Sequence, residues 1–206
     1  MPSDPIKKFT EIFSKFPSIG PRQAMRLAFF IAGLGKTKIK EISDAVSELY
    51  GLNTCARCFH TFTLTANPGR SDEKLCPICS DPTREKGIIA IIEKETDLIS
   101  LEKTKKFNGR YLLLGELDKT GELEPEQKLR LNNLKTFIKK ELRGKADEII
   151  LAINPTVYGD LNAALLKKEL EECAEKITRL GRGIPTGGEI EFADEETLGQ
   201  ALERRN

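Results

Sequence analysis

The sequence lacks several features that whole classes of protein require. His60 is the only histidine among 206 residues, so a Ser-His-Asp or Cys-His catalytic set can be built around no other residue. A G-x-x-x-x-G-K-[ST] phosphate-binding loop is also missing. No apolar run approaches the roughly 20 residues needed to span a bilayer, and residues 1–13 do not have the pattern of a secretion signal. We therefore expect a cytoplasmic protein without a membrane partner.

Net charge is also small, but the charges are unevenly distributed. Lys and Arg number 33 and Asp and Glu 32, which gives a net charge of +1 at pH 7. Residues 1–40 nevertheless carry a local balance of +6, whereas residues 82–206 carry −2. A basic segment on a near-neutral body suggests an anionic partner that is contacted at one end. A solvated helix surface is the alternative explanation.

The composition and the hydrophobic periodicity of the sequence change along the chain. Residues 1–53 have helical periodicity, with one apolar stripe of Ile6, Phe9, Ile12, Phe13 and Phe16. Residues 54–81 contain few apolar side chains and four cysteines, so they need a cross-link such as a bound metal ion to fold. The predicted domains are 1–53 (helical hairpin), 54–81 (zinc finger), 82–175 (α/β) and 176–206 (Gly-rich segment and helix).

Short apolar runs alternate with helical patterns in the third segment. Runs at 87–93, 111–114 and 148–153 fit central parallel strands that are buried on both faces. Helical patterns lie near 96–106, 124–142 and 160–175. The tail adds a short strand, the strand-like run 189–193 and a helix from about Asp194. The predicted fold class is α/β multidomain: an N-terminal helical hairpin domain, a small zinc finger, a parallel sheet flanked by helices and a C-terminal strand-helix segment.

Two C-x-x-C pairs indicate a metal site. Cys55 and Cys58 are separated by 17 residues from Cys76 and Cys79. This spacing is typical of tetrahedral zinc, and four protein ligands leave no coordination position for water. The sequence therefore predicts a structural zinc ion, with four free or redox-active thiols as the alternative.

A basic hairpin lies between the first two predicted helices. The sequence Phe-Pro-Ser-Ile-Gly-Pro breaks the first helix, and Gly20 precedes the start of the second. Arg22 and Arg26 are four residues apart and share a helix face, and Lys15 widens the basic patch. Together with the backbone amides of a helix start, these residues predict binding of DNA phosphates without reading of bases. The pattern resembles the helix-hairpin-helix motif of sequence-independent DNA-binding proteins.

Carboxylates follow two of the predicted strands. Glu93 ends the first strand, Asp97 lies just beyond it, and Asp160 follows the third. Parallel sheets place their sites at the carboxyl ends of strands, so Glu93 and Asp160 could together hold Mg²⁺ through oxygen ligands. This part of the chain resembles a Toprim domain, the α/β module of topoisomerases and primases.

The whole chain resembles the RecR family. The order of hairpin, four-cysteine finger, Toprim domain and Gly-rich C-terminus matches, and so do the stretches FPSIGPRQAMRLAF, ILAINPT (150–156) and TRLGRGIPTGGEIEFADEETLGQAL (178–202). The resemblance implies a non-catalytic DNA-binding mediator of recombinational repair. It implies action with RecO- and RecF-type proteins at gapped or single-stranded DNA, where the protein helps load RecA. It also implies a homo-oligomer, either a dimer or a ring-like tetramer, and a role of Glu93 in partner and metal binding.

Two departures from the family pattern affect the acidic strand ends. Tyr158 stands where the family usually has a glutamate, and residues 114–121 lack the usual Gly-Gly-x-Ile-Ser-Pro pattern. Because one carboxylate is lost, Mg²⁺ is a weaker candidate than zinc. Two other functions stay open: a Mg²⁺-dependent Toprim nuclease or strand-transferase that uses Tyr158 as its nucleophile, and a zinc-stapled scaffold that binds only protein.

Overall fold

The computed structural model describes residues 4–63, 74–203 and 205. The chain divides into two compact units, Met1–Leu52 and Asn53–Asn206. None of the described helices is long and apolar enough to cross a membrane.

The first unit is helical. Helix α1 (Pro5–Phe13) begins at Asp4, whose carboxylate accepts a hydrogen bond from the Ile6 amide at 3.0 Å. Helix α2 (Pro21–Gly33) and helix α3 (Lys36–Glu48) follow, and a 3-10 turn spans Leu49–Gly51. The predicted apolar stripe of α1 includes stacked rings of Phe9 and Phe13, whose centroids are 3.9 Å apart. The described side chains that are fully buried in this unit are those of Ala24 and Ala28.

The second unit begins with a small cysteine module. A two-stranded sheet pairs β1 (Leu52–Thr54) with β2 (Thr61–Thr63), and the short helix α4 (Pro77–Ser80) carries the second C-x-x-C pair. The module has its own small core of four cysteines and Phe62.

A parallel four-stranded sheet forms the body of the second unit, as the alternating pattern predicts. Its spatial order is β4-β3-β5-β6. The strands are β3 (Ile88–Ile92), β4 (Arg110–Leu113), β5 (Ala146–Ala152) and β6 (Ala174–Arg179). The connecting helices are α5 (Glu95–Lys103), α6 (Pro125–Glu141) and α7 (Val157–Leu170), with a 3-10 turn at Glu171–Cys173 before β6.

Different helices pack on the two faces of this sheet. Ile89 and Ile91 point to the face that α6 and α7 cover, whereas Ala90 and Ile92 point to the face that α5 covers through Leu98. Because α5 lies on one face and α7 on the other, the connections that leave β3 and β5 run in opposite directions. The crevice between the carboxyl ends of β3 and β5 is therefore the topological switch point of the sheet, where open α/β sheets bind their ligands.

The C-terminal segment ends in helix α8 (Glu195–Glu203). The Thr197 amide donates to the Asp194 carboxylate at 2.8 Å, so the predicted helix start at Asp194 is confirmed. The strand predicted at 189–193 is wrong, because Ile190–Phe192 forms a 3-10 turn. Its alternating apolar side chains pack on no strand and are 69% (Ile190) and 79% (Phe192) exposed. The predicted domain bounds stay predictions, although β6 carries the sheet on to Arg179.

Candidate functional site

The four predicted zinc ligands converge on one point. All four cysteines are buried, and their sulfur atoms lie within 4.8 Å of one another. Cys58 Sγ and Cys76 Sγ lie 3.5 Å apart. Zinc–sulfur bonds of about 2.3 Å in a tetrahedron place sulfurs about 3.8 Å apart, so the cluster has the size of a zinc site. The soft thiolate ligands also suit zinc.

Protons are shared unequally within this cluster. Hydrogen bonds from the Cys58, Cys76 and Cys79 thiols lower the pKa of Cys55, because they stabilise its thiolate. The same contacts and burial raise the pKa of Cys58. Four sulfurs that compete for protons in a buried space form a natural receptor for a divalent cation.

The cysteine module is attached to the edge strand of the parallel sheet. The Leu113 amide of β4 donates to the Cys58 carbonyl at 2.9 Å. Phe59, which has a left-handed backbone (φ 64°), packs against both sheet cores, and the Arg130 guanidinium lies 5.1 Å from its ring centroid. The module thus covers part of an edge that would otherwise expose unpaired backbone groups.

Glu95 joins the same module to the start of α5. Its carboxylate accepts a hydrogen bond from the Thr61 amide at 2.7 Å and pairs with His60 Nδ1. Burial would raise the pKa of Glu95, but the hydrogen bonds from Thr61 and His60 lower it. The only histidine therefore faces a carboxylate rather than the four-sulfur cluster.

Glu93 lies at the switch point of the sheet. Its carboxylate accepts hydrogen bonds from the Asn154 amide at 3.1 Å and from Asn154 Nδ2 at 3.2 Å. The chain after β5 turns tightly here, since a Cβ atom on Gly159 would lie 1.9 Å from the Asn154 carbonyl oxygen. Only glycine fits, and it holds the Asn154 turn close to Glu93.

The other two predicted acidic residues line a neighbouring cavity of about 860 Å³. Asp97 accepts a hydrogen bond from the Lys94 amide at 2.8 Å and so caps α5. Asp160 pairs with Arg182 and, at 2.6 Å, with Arg179. Hydrogen bonds from Arg182 and then Arg179 lower the pKa of Asp160, so this carboxylate is held ionised between two guanidinium groups.

These carboxylates do not form a ligand cluster. Among residues 4–63, 74–203 and 205, the four cysteines are the one group of three or more potential ligands close enough to share a metal ion. Glu93 lines a smaller cavity with Tyr158, whereas Asp160 lines the larger one. Each carboxylate already has a partner within the chain.

The hairpin residues all lie in the first unit. Lys15, Arg22 and Arg26 are exposed, and no carboxylate of the described residues pairs with any of them. Gly20 precedes α2 with an ordinary φ of −82°, while Ser18 takes the left-handed conformation. The Gly20 amide donates to Gln23 Oε1 at 2.9 Å, so the amides that face outward at this helix start are those of residues 22 and 23.

Comparison with known proteins establishes the family. A family model of the Toprim domain matches residues 87–181, and a model of the RecR C-terminal region matches residues 183–206. Two curated relatives from strains of Clostridium perfringens, both named recombination protein RecR, are each 37% identical over 201 residues. The matches cover 97% of this chain and 95% of each relative. The chain belongs to the RecR family. The resemblance to RecR and the Toprim domain is thereby confirmed.

Three features of this RecR-family chain escaped the sequence reasoning. They are the arginine pair around Asp160, the contact of Glu95 with the cysteine module, and Arg110 at the start of β4. The third had a signal in the sequence, because a charged residue next to the buried run 111–114 needs a compensating partner. The other two depend on side chains that are distant in sequence and carried no local signal.

Proposed function

We propose that this protein is a non-catalytic DNA-binding mediator of recombinational repair in the cytoplasm, associated with the nucleoid. The observation that carries the proposal is the exposed pair Arg22 and Arg26, one helical turn apart and without a carboxylate partner in the described part of the chain. Two guanidinium groups at this spacing, beside two outward amides, suit successive phosphates and read no base edges. RecO- and RecF-type proteins at gapped or single-stranded DNA, and loading of RecA, are the partners and outcome that the family suggests.

The state of the acidic residues favours binding over chemistry. A Mg²⁺ ion at the switch point would have to compete with Asn154 for Glu93 and with two arginines for Asp160. Tyr158 is half exposed at the same end of the sheet, but Lys119, 5.6 Å from its ring centroid, is the cation beside it. A strand-transfer centre needs free carboxylates around such a tyrosine.

A plasmid experiment tests both parts of this proposal. We expect supercoiled plasmid to be retarded by the protein, with retardation that weakens steeply between about 50 and 200 mM salt because phosphate neutralisation releases counterions. We expect no nicking or relaxation when Mg²⁺ is added. Nicking that disappears in the Glu93→Ala variant would show the Toprim enzyme instead. A protein that ignores DNA even at low salt would fit the scaffold function.

We further propose that the four-cysteine cluster holds zinc. The cluster would supply all four ligands, which leaves no position for water or substrate, so the ion would contribute folding energy rather than catalysis. Burial, the spread of the sulfur atoms and the purely thiol ligand set support this choice over an oxygen-seeking cation.

The first unit has too few buried side chains to be a self-sufficient domain. Of its described residues, only Ala24 and Ala28 are fully buried, whereas large apolar side chains stand exposed on all three helices and in the turns that follow α1 and α3. They include Ile12, Phe16, Met25, Phe29, Phe30, Val46 and Leu49. Many exposed large apolar side chains in one small unit are typical of a protein interface, so we propose that copies of this chain assemble through it as a dimer or ring-like tetramer.

Solution mass tests the assembly. We expect light scattering to report a multiple of the 23.0 kDa chain mass. The double variant Phe29→Glu/Phe30→Glu should shift the mass toward that of a smaller species, because it places charges in the proposed interface. Thr37→Glu/Ser43→Glu, which adds the same two negative charges at exposed polar positions of the same unit, is the matched control. A wild-type monomer at all concentrations would contradict the proposal.

A further inference from the structure

Arg110 is a buried cation, and two of its three guanidinium nitrogens have no hydrogen-bond partner among the described residues. It is the first residue of β4, and it is only 4% exposed. Its Nε and Nη1 atoms are buried, and no described residue accepts a hydrogen bond from them. An unpaired buried charge is strongly destabilising, so its retention inside a folded protein calls for a compensating anion.

Another guanidinium group, a cysteine and an aromatic ring surround Arg110. It lines a small cavity together with Arg57, the ligand Cys79 and the Phe137 ring. The Arg57 guanidinium lies 4.8 Å from the centroid of that ring. Asp81 and Glu141 are the carboxylates that act on Arg110, but only at a distance, since neither hydrogen-bonds to it.

The strongest effects on Arg110 are unfavourable. Burial lowers its pKa most, and the positive charge of Arg57 lowers it further. Two guanidinium groups are therefore placed close together beside the sulfur cluster. The buried charge of Arg110 is stable only if an anion lies close to it.

A loaded four-cysteine site is that anion. Four thiolates carry four negative charges and Zn²⁺ carries two positive charges, so the complex has a net charge of −2. We propose that Arg110 is the built-in counter-charge of this zinc-tetrathiolate centre and sets its affinity for the metal. The inference rests on the proposed zinc site and adds a positioning residue to it.

A bound water is the competing explanation. The cavity beside Arg110 measures about 10 Å³, which is the space for one water molecule. Water would satisfy hydrogen bonds of the guanidinium but would leave its charge, and that of the zinc complex, uncompensated. The two explanations therefore differ in whether the charge of residue 110 affects metal affinity.

The experiment measures zinc affinity in the full-length protein by competition with a chromophoric chelator. We expect Arg110→Met to weaken zinc binding roughly 10- to 100-fold, the usual effect of losing a group that supports metal ligands. Arg110→Lys, which keeps the charge, should stay close to the wild type. The control is Arg84→Met, since Arg84 is a partly buried arginine of the same unit that already pairs with Glu102. It should melt at a lower temperature with unchanged zinc affinity.

A second measurement separates charge compensation from packing. With the metal removed, Arg110→Met should be at least as stable to urea as metal-free wild type, because an unpaired buried charge has been removed. Equal losses of stability with and without zinc, or unchanged zinc affinity, would overturn the inference. If Arg110→Met does not fold, Arg110→Gln has the same expected affinity loss. A wild-type protein that binds no zinc would instead refute the proposed zinc site itself.

Discussion

Replacing Cys76 with serine is expected to abolish stoichiometric metal binding and to destabilise the second unit as a whole. Cys76 is one of the four proposed ligands, which also make up nearly the entire core of the cysteine module. Its loss removes ion and core together, because binding energy at such a site is folding energy. We expect the free energy of unfolding to fall by more than about 4 kcal/mol, as losses of structural metals do.

The effect should extend beyond the module itself. The Cys58 carbonyl accepts a hydrogen bond from β4, and Phe59 packs on both faces of the sheet. An unfolded module would release these contacts and expose the edge of β4. Amide exchange should therefore rise at Leu113 as well as in residues 55–62.

Metal content and thermal melting check this prediction. Cys173→Ser is the matched control, because Cys173 is a half-buried cysteine outside the cluster. It should keep the metal and change stability by less than about 1 kcal/mol. Native-like melting of Cys76→Ser without bound metal would contradict the role of the cluster as a staple.

The strands were predictable because a strand that is buried on both faces consists of a continuous run of apolar residues. The run predicted at 87–93 became Ile88–Ile92, and that at 148–153 became Ala146–Ala152. The run at 189–193 instead alternates acidic and apolar residues, a pattern typical of a half-buried strand, yet Ile190–Phe192 forms a 3-10 turn. Strand pairing depends on what lies next to a segment in space, which a local pattern does not contain.

The candidate sites also differ in how far a local sequence pattern predicts them. The cysteine cluster was predictable, because each C-x-x-C turn fixes two ligands by local geometry. Asp160 was found as a carboxylate at a strand end, but its two arginine partners are Arg179, the last residue of β6, and Arg182, just beyond that strand. Because Asp160 pairs with both arginines, the negative charge of this predicted metal ligand is already balanced within the chain. No spacing rule in the sequence indicates these pairs.

The double variant Arg22→Ala/Arg26→Ala is expected to weaken DNA binding roughly 10- to 100-fold, and similarly for unrelated sequences. Two charge-assisted contacts to phosphates are lost, and neither reads a base. The plot of log affinity against log salt should become shallower by about two for each hairpin in contact with duplex DNA, since one counterion is no longer released per missing cation. Fluorescence anisotropy with two oligonucleotides of different sequence measures both quantities.

The control must distinguish the loss of positive charge at the hairpin from the loss of positive charge anywhere in residues 1–40. Lys36→Ala/Lys40→Ala removes the same charge from the same helical unit, also from exposed positions four residues apart. If affinity depends only on the net charge of residues 1–40, both double variants will weaken binding equally, and the hairpin has no special role. If the outward amides and guanidinium groups at the start of α2 grip phosphates together, only the first variant will lose most of its affinity. Unchanged binding in that variant would move the DNA contact elsewhere on the chain.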